Sequence, residues 1–311
     1  MTITVAIPSF NKEKYIERCI QSVLRQKSFA NEIFVVDNCS TDRTFEIAKQ
    51  FEPEIRCIRN DKNLGMTGNW NRCVDLCKSD LLLILHADDE LLPEALRVYL
   101  NFFQKHADIG FAHANFYYIQ DGDLRTKQLM NSRSVEISKA GPEAMSLPKG
   151  YACSTVVVPK KVYDRIGNFM ESMSSDWEML QRIAAHYDVG QINQATAYVH
   201  LNSDSTGRQS LINRTLEEIE ADSKNLSDKI ISYYPPELRA RISKNFKNST
   251  AGLLVLIFGR NIKAGQYKKA FWALSRAVFK YGGFVIFLKL VWLYQKRKLT
   301  LWSAKRRKQA L

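Results

Sequence analysis

Two carboxylates stand side by side at Asp88-Asp89, within His86-Ala87-Asp88-Asp89-Glu90, directly after the apolar run Leu81-Leu82-Leu83-Ile84-Leu85. A short apolar run bounded by Ser79-Asp80 predicts a strand buried on both faces, so the acids emerge at its carboxyl end. That edge is where open α/β sheets bind ligands. Adjacent carboxylates there can hold a divalent cation through hard oxygen ligands, and such a cation can neutralise a diphosphate. The same acids could instead cap a helix that starts near Pro93.

The elements that would position these acids follow from hydrophobic periodicity. Ile3–Pro8 reads as a first strand and Lys14–Gln26 as an amphipathic helix, with Tyr15, Ile16, Cys19, Ile20, Val23 and Leu24 at helical spacing. Glu32–Val36 predicts a second strand, Asp37–Asp42 a polar turn, and Thr44–Phe51 a helix ending before Pro53. Ile55–Arg59 predicts a third strand, Asn63–Gly68 the opening of a helix over Asn69–Cys77, and Leu81–Leu85 the fourth strand. This alternation implies a parallel, doubly wound sheet. Farther on come a helix over Pro93–Lys105, a strand over Ile109–Tyr118, an irregular polar stretch at 120–150, and a strand over Thr155–Val158. Helices over Lys160–Ile166 and Trp177–Ala185 and a strand over Val189–Val199 complete a region ending near residue 209, and a helical connector begins at 210.

With 311 residues, the chain can hold one large α/β domain and an appendage. Its six cysteines, 19, 39, 57, 73, 77 and 153, include no C-x-x-C pair, which suits reduced thiols in a cytoplasmic protein. The net charge of +13 resembles a nucleic-acid footprint until its distribution is considered. From Leu238 to Leu311 there are 18 Lys and Arg and no Asp or Glu, so the first 237 residues carry −5. The positive excess belongs to the tail, and no module with aromatics interleaved among basic residues occurs outside it, which argues against RNA or DNA as a partner.

Three segments in order carry a family resemblance. Val5-Ala6-Ile7-Pro8-Ser9-Phe10-Asn11-Lys12 with Tyr15–Gln26, then Asp37-Asn38-Cys39-Ser40-Thr41-Asp42, then the acidic turn together resemble family 2 of the inverting glycosyltransferases over residues 3–205. The resemblance implies a GT-A fold, that of nucleotide-diphospho-sugar transferases: an α/β, Rossmann-like, mostly parallel sheet flanked by helices. It also implies sugar transfer from a UDP- or dTDP-linked donor to a glycan or lipid-linked oligosaccharide hydroxyl in cell-surface polysaccharide biosynthesis.

The site residues implied by that resemblance each have a physical role. Pro8 and Ser9 at the end of the first strand offer backbone groups to a base. Asp37 can accept a hydrogen bond from the imide N–H of uracil or thymine, or else turn the chain by bonding back to Ser40. Asn63 and Gly65 would let the chain approach the nucleotide at a helix start, or serve as simple caps. The family pattern is Asp-x-Asp with a following acid, and here His86 replaces the first Asp. Asp88 then resembles the Mn²⁺ or Mg²⁺ ligand, Asp89 the acid that supports the sugar or the geometry of the motif, and His86 a nucleotide contact. A neutral imidazole contributes no negative charge, so the cation should bind more weakly. In Ser174-Ser175-Asp176-Trp177-Glu178-Met179-Leu180-Gln181-Arg182, Asp176 resembles the general base or else caps the helix, with Glu178 the alternative carboxylate and Arg182 a residue that orients the base, touches diphosphate or forms a surface ion pair. His200, in His200-Leu201-Asn202-Ser203-Asp204-Ser205, is a second candidate cation or diphosphate contact.

The segment Phe284–Tyr294 is apolar but interrupted by Lys289 and too short for a spanning helix, which needs about 20 apolar residues. Flanked by Lys296-Arg297-Lys298 and Lys305-Arg306-Arg307-Lys308, with Trp272, Trp292 and Trp302 nearby, it suits a helix on an anionic membrane surface. The expected location is therefore cytoplasmic and peripheral, on the inner face of the plasma membrane. A helical pair packed on the catalytic domain is the alternative. For the whole chain, the alternative to transfer is a non-catalytic scaffold or another nucleotide-sugar-binding enzyme.

Overall fold

The computed structural model describes residues 1–120, 123–128, 135–141, 151–172, 174–201, 215–244, 254, 257–258 and 267–280. The chain forms two compact units, Met1–Asn213 and Arg214–Leu311. In chain order the first unit contains β1 (Ile3–Ser9), α1 (Ile16–Leu24), β2 (Glu32–Asp37), α2 (Thr44–Lys49), β3 (Arg56–Arg59), α3 (Gly65–Leu76), β4 (Leu81–Ile84), β5 (Glu90–Leu91) and α4 (Ala95–Lys105). It continues with β6 (Phe111–Gln120), β7 (Asp123–Gln128), β8 (Val135–Ser138), β9 (Val156–Pro159), α5 (Lys160–Ile166), α6 (Ser175–Ala184) and β10 (Val189–His200).

One sheet runs β3-β2-β1-β4-β9-β6-β10-β5, with β7 added beside β6 and β8 beside β10. The first four strands are parallel, as the β-α alternation implies. The chain leaves β1 for β2 and β3, then returns on the other side of β1 as β4. The carboxyl ends of β1 and β4 therefore flank a topological switch point, where a ligand crevice is expected. Beyond β4 the directions mix: β9 is antiparallel to β4 and to β6, β10 is parallel to β6, and β5 is antiparallel at the outer edge.

Both faces of the sheet are covered, which explains why β4 is apolar throughout rather than alternating. Leu81 and Leu83 pack with Ile16, Ile20, Val23, Tyr99 and Phe103 of α1 and α4. Leu82 and Ile84 pack on the other face with Trp70 and Val74 of α3, Tyr163 of α5, and Met179 and Ile183 of α6. Each large side chain fully buried in this way contributes about 1.5–3 kcal/mol. Tyr99 also fixes the mixed half: its hydroxyl donates to the Thr155 carbonyl at 2.7 Å and lies 2.9 Å from Thr196 Oγ1.

Element ends differ from the sequence expectation by a few residues. α3 begins at Gly65, where φ is +72°, rather than at Asn69. α4 begins at Ala95, and β5 intervenes between it and the acids, so the acidic turn does not cap that helix. A two-residue strand is too short to show periodicity. β7 and β8 lie in the stretch expected to be irregular.

In the second unit, α7 (Leu216–Ser232) starts with a reciprocal cap: Thr215 Oγ1 accepts from the Glu218 N–H and Glu218 Oε2 accepts from the Thr215 N–H. α8 (Tyr267–Ser275) is followed by a π-type turn over Arg276–Lys280. Buried Glu220 receives Lys280 at 2.8 Å and Arg276 at 3.5 Å. Among the described residues, no helix is long and apolar enough to cross a membrane. The apolar segment 284–294, the basic clusters 296–298 and 305–308, Trp292 and Trp302 lie outside the described residues, as do Asn202 to Ser205.

Candidate active site

At the ends of β1 and β2 the following loops interlock. Asn11 donates its N–H to Ser40 Oγ, the Thr41 N–H donates to Asn11 Oδ1, and the Lys12 N–H donates to Thr44 Oγ1 at 2.6 Å. Asp37 is fully buried. Its Oδ2 accepts the Ser40 N–H at 3.0 Å and lies 3.4 Å from the Arg59 guanidinium, while Oδ1 has no hydrogen-bond partner. One oxygen thus makes the turn and the other faces no hydrogen-bond partner. Ser9 Oγ, paired in register with Asp37, is likewise buried without a partner, and Pro8 precedes it on β1.

Asn63 and Gly65 are held in an amide network. Asn38 Nδ2 donates to Asn63 Oδ1 and to the Gly65 carbonyl, and the Gly65 N–H donates to Asn63 Oδ1. Asn60 Nδ2 donates to Asn38 Oδ1 and Asn69 Oδ1, and Asn69 Nδ2 donates to the Val36 carbonyl. Both residues expected to touch nucleotide therefore shape the loop and fix the start of α3.

The acidic turn follows β4. His86 stacks on Trp70 of α3, with ring centroids 5.5 Å apart and planes 18° apart, and its backbone N–H donates to Ser154 Oγ. Its Nε2 is buried with no partner. Lys12 Nζ lies 2.9 Å from Asp88 Oδ2, and Arg18 donates to the Asp88 carbonyl while lying 3.0 Å from Glu90. Burial works against a charge on Asp88, but the Lys12 ammonium, His86 and the hydrogen bonds it accepts together outweigh it and hold the carboxyl below the usual range. Asp89 has the opposite balance: burial pushes it up to about 6, although it accepts from Ser154 Oγ and from the His200 N–H. Asp89 thereby joins three chain segments, which agrees with a geometric role.

His86, Asp88 and Asp89 each offer a ligand atom within 4.8 Å of the others. Two carboxylates and an imidazole with an unpartnered buried nitrogen fit a divalent cation, and the nitrogen favours a transition ion such as Mn²⁺ over Mg²⁺. His200 is placed differently from the expectation. Its ring Nε2 lies 2.8 Å from Glu90 Oε1, burial lowers the imidazole's pKa, and its tie to Asp89 is through its backbone N–H.

Asp176 lies in the first turn of α6, where its Oδ1 accepts the Trp177 N–H. Tyr151 hydrogen-bonds to it, and the Tyr151 ring stacks on Trp177 at 5.7 Å. Cys153 feels the charge of both acidic groups. Burial raises its thiol well above the usual value, and the charges of Asp176 and Asp89 raise it further. Thr67 Oγ1 of α3 lies 3.0 Å from Ser175 Oγ, tying the nucleotide-side helix to the start of α6. Arg182, expected near the base or diphosphate, is used in packing: it donates to the Ile166 and Asn168 carbonyls and pairs with buried Glu178 at 3.0 Å. The same pairing removes Glu178 as the alternative base.

Several residues here escaped the sequence reading. Lys12, Trp70, Tyr151 and Ser154 gain their importance from partners 16–76 positions away, so no local spacing marks them. Only Lys12 could have been found, as the cation nearest the end of β1.

A family model described as glycosyl transferase family 2 matches residues 4–166. Among curated proteins, an uncharacterized Mycobacterium tuberculosis protein is 38% identical over 113 residues, 36% of this chain and 35% of its own length. A putative colanic acid biosynthesis glycosyl transferase of Escherichia coli K12 is 25% identical over 213 residues, 64% of this chain and 72% of its own. Among solved structures, S. aureus TarS residues 1–349 in complex with UDP-GlcNAc aligns with a TM-score of 0.58 at 16% identity, covering 89% of this chain and 91% of that one. This likeness bears out the expected GT-A fold.

Proposed function

The chain belongs to glycosyl transferase family 2, and from that premise we propose that it moves a sugar from a uridine- or thymidine-diphosphate donor to a glycan or lipid-linked hydroxyl with inversion. The observation that carries this reading is that the Tyr151–Ser154 segment links Asp176 to the acidic turn: Tyr151, Cys153 and Asp176 line one cavity, and the adjacent Ser154 donates to Asp89. The donor class is supported by the unpartnered Asp37 Oδ1, an acceptor suited to an imide N–H. TarS, a fold neighbour, is a UDP-GlcNAc complex, and the E. coli relative is named for colanic acid biosynthesis, which fits a role in polysaccharide assembly.

In this mechanism Asp176 takes the proton of the acceptor hydroxyl as that oxygen bonds to the anomeric carbon. The bond from that carbon to the diphosphate oxygen breaks on the opposite face, and the nucleoside diphosphate leaves. A cation held by His86, Asp88 and Asp89 would neutralise the leaving diphosphate, which dispenses with a second protein acid. Tyr151 and the α6 N-terminus orient Asp176, and the Asn38–Asn60–Asn69 network holds the nucleotide loops rigid.

Thermal unfolding with nucleoside diphosphates and nucleotide sugars, with and without Mn²⁺, tests the donor site, because a ligand that binds only the native state raises the midpoint. The expected result is a cation-dependent rise with UDP or dTDP and a smaller one with ADP. No rise with any nucleotide up to millimolar would remove the donor site and favour a scaffold.

The second unit supports peripheral attachment to anionic lipid. Phe271 and Phe279 are 61% and 88% exposed in a region with no acid after Glu237. Cosedimentation with phosphatidylglycerol vesicles but not phosphatidylcholine vesicles is expected, and equal recovery with both would sink the idea.

A further inference from the structure

The Lys12–Asp88 pair is unusual in joining a flexible ammonium to the residue expected to hold the cation. Both side chains are little exposed, 13% and 12%, so the pair is shielded from solvent screening. Lys12 is anchored through its backbone, whose N–H is fixed on Thr44 Oγ1 and whose carbonyl accepts the first N–H groups of α1. Among the described residues its ammonium has one ionic partner, Asp88, with the Tyr15 ring 5.7 Å away. Arg18, the other cation at the turn, is held by the Asp88 carbonyl and by Glu90, whose carboxylate also meets His200. Arg18 is thus locked to the turn, while Lys12 can swing about a fixed backbone on a four-carbon stem.

We propose that Lys12 is an internal counter-ion that holds Asp88 in the free protein and transfers to the donor's diphosphate, so that cation and donor bind together and the cation alone binds poorly. This rests on the reading of the acidic turn as a cation site. A cation arriving alone must displace the ammonium from a shielded carboxylate and leave it beside a dication, where like charges repel. A diphosphate arriving with the cation gives the ammonium a new anionic partner and removes that cost. Because binding free energies are linked, each ligand then raises the affinity for the other by the same factor. Lys12 lies at the end of β1, beside the crevice where the diphosphate must reach Asp88, so a modest side-chain rotation suffices.

The test measures Mn²⁺ binding by loss of the free-ion electron paramagnetic resonance signal, for the full chain, Lys12→Gln and Lys12→Arg, each with and without saturating UDP. In the wild type, UDP should tighten Mn²⁺ binding strongly. In Lys12→Gln, Mn²⁺ alone should bind at least about tenfold tighter than to the wild type, and the enhancement by UDP should shrink by a similar factor. Lys12→Arg keeps the charge and should stay near the wild type. If UDP enhances Mn²⁺ binding equally in wild type and Lys12→Gln, and Mn²⁺ alone binds both alike, the counter-ion role is overturned while the cation site stands. If the wild type binds UDP but no Mn²⁺ in any mixture, the cation site itself is lost and the proposal with it. Unfolding midpoints of the variants distinguish a binding change from a folding defect.

Discussion

The parallel and mixed halves of the sheet treat buried polar groups in opposite ways. In the parallel half, the unpartnered atoms Ser9 Oγ, Asp37 Oδ1 and His86 Nε2 lie at strand ends, on the crevice. The polar groups behind them, Asn38, Asn60 and Asn69, satisfy one another. In the mixed half, strand β6 buries unpartnered groups in mid-strand: His113 and Asn115 are fully buried, and neither ring nitrogen of the one nor either amide atom of the other has a partner. An unpaired atom at a strand end is available to a ligand, whereas one in mid-strand mainly costs stability. On the proposed function, the parallel half is the template for the nucleotide. The mixed half then delivers Asp176 to it at some cost in stability.

The largest expected effect tests that delivery. Asp176→Asn removes the base and leaves the parallel half untouched, so turnover should fall by about 10²–10⁴-fold. The UDP-induced rise in unfolding midpoint should be unchanged. Loss of that rise would mean that the two halves are not separable.

The next effect exposes the burden within β6. Burial pushes the His113 imidazole down to about 4 from an ordinary 6.5. The unfolded chain therefore binds a proton that the folded chain refuses, and stability falls as the pH drops from 6.5 toward 4. The loss attributable to this residue is about 3 kcal/mol over that window. His113→Leu should flatten the dependence there, read from denaturant midpoints at each pH. An unchanged slope would place the acid sensitivity elsewhere.

In the parallel half, Asp37→Asn should do something more specific than weaken binding. The Ser40 N–H donates to Oδ2 and the Arg59 guanidinium lies 3.4 Å from it, so the new amide will turn its carbonyl toward them and its NH₂ toward the base. A donor then faces the imide N–H of uracil, which should weaken UDP by about 1.5–3 kcal/mol, the worth of a hydrogen bond to a charged group. Cytosine presents an acceptor at that position, so CDP should gain on UDP. If UDP keeps its lead over CDP in the variant, Asp37 does not read the base.

The two halves also differ in how far the sequence reveals them. Strands β1 to β4 and their helices are visible because each apolar run and each helical stripe is local, and Asp37, Asp88 and Asp176 are visible because they belong to contiguous motifs. The mixed half is built from distant partners. The antiparallel insertion of β9, the two-residue β5 and the joining of Ser154 and His200 on Asp89 depend on pairings 65–111 residues apart. Residue type and motif position point Arg182 and His200 at ligands, and only the packed neighbours Glu178 and Glu90 show that both side chains already have partners. A polar residue's type does not disclose whether its partner is a ligand or another side chain.

The finest distinction between the halves needs two residues of one type. Asn69 and Asn115 are both buried, at 4% and 0% exposure. Asn69→Leu keeps the shape but strands the Val36 carbonyl and one donor of Asn60, so it should destabilise by about 1–3 kcal/mol. Asn115→Leu strands nothing and removes two buried polar atoms that have no partner, so it should change stability by less than about 1 kcal/mol, or raise it. Urea midpoints with a common slope measure both. Equal losses would mean that Asn115 does have a polar partner in solution, and the mixed half would then be as fully satisfied as the parallel one.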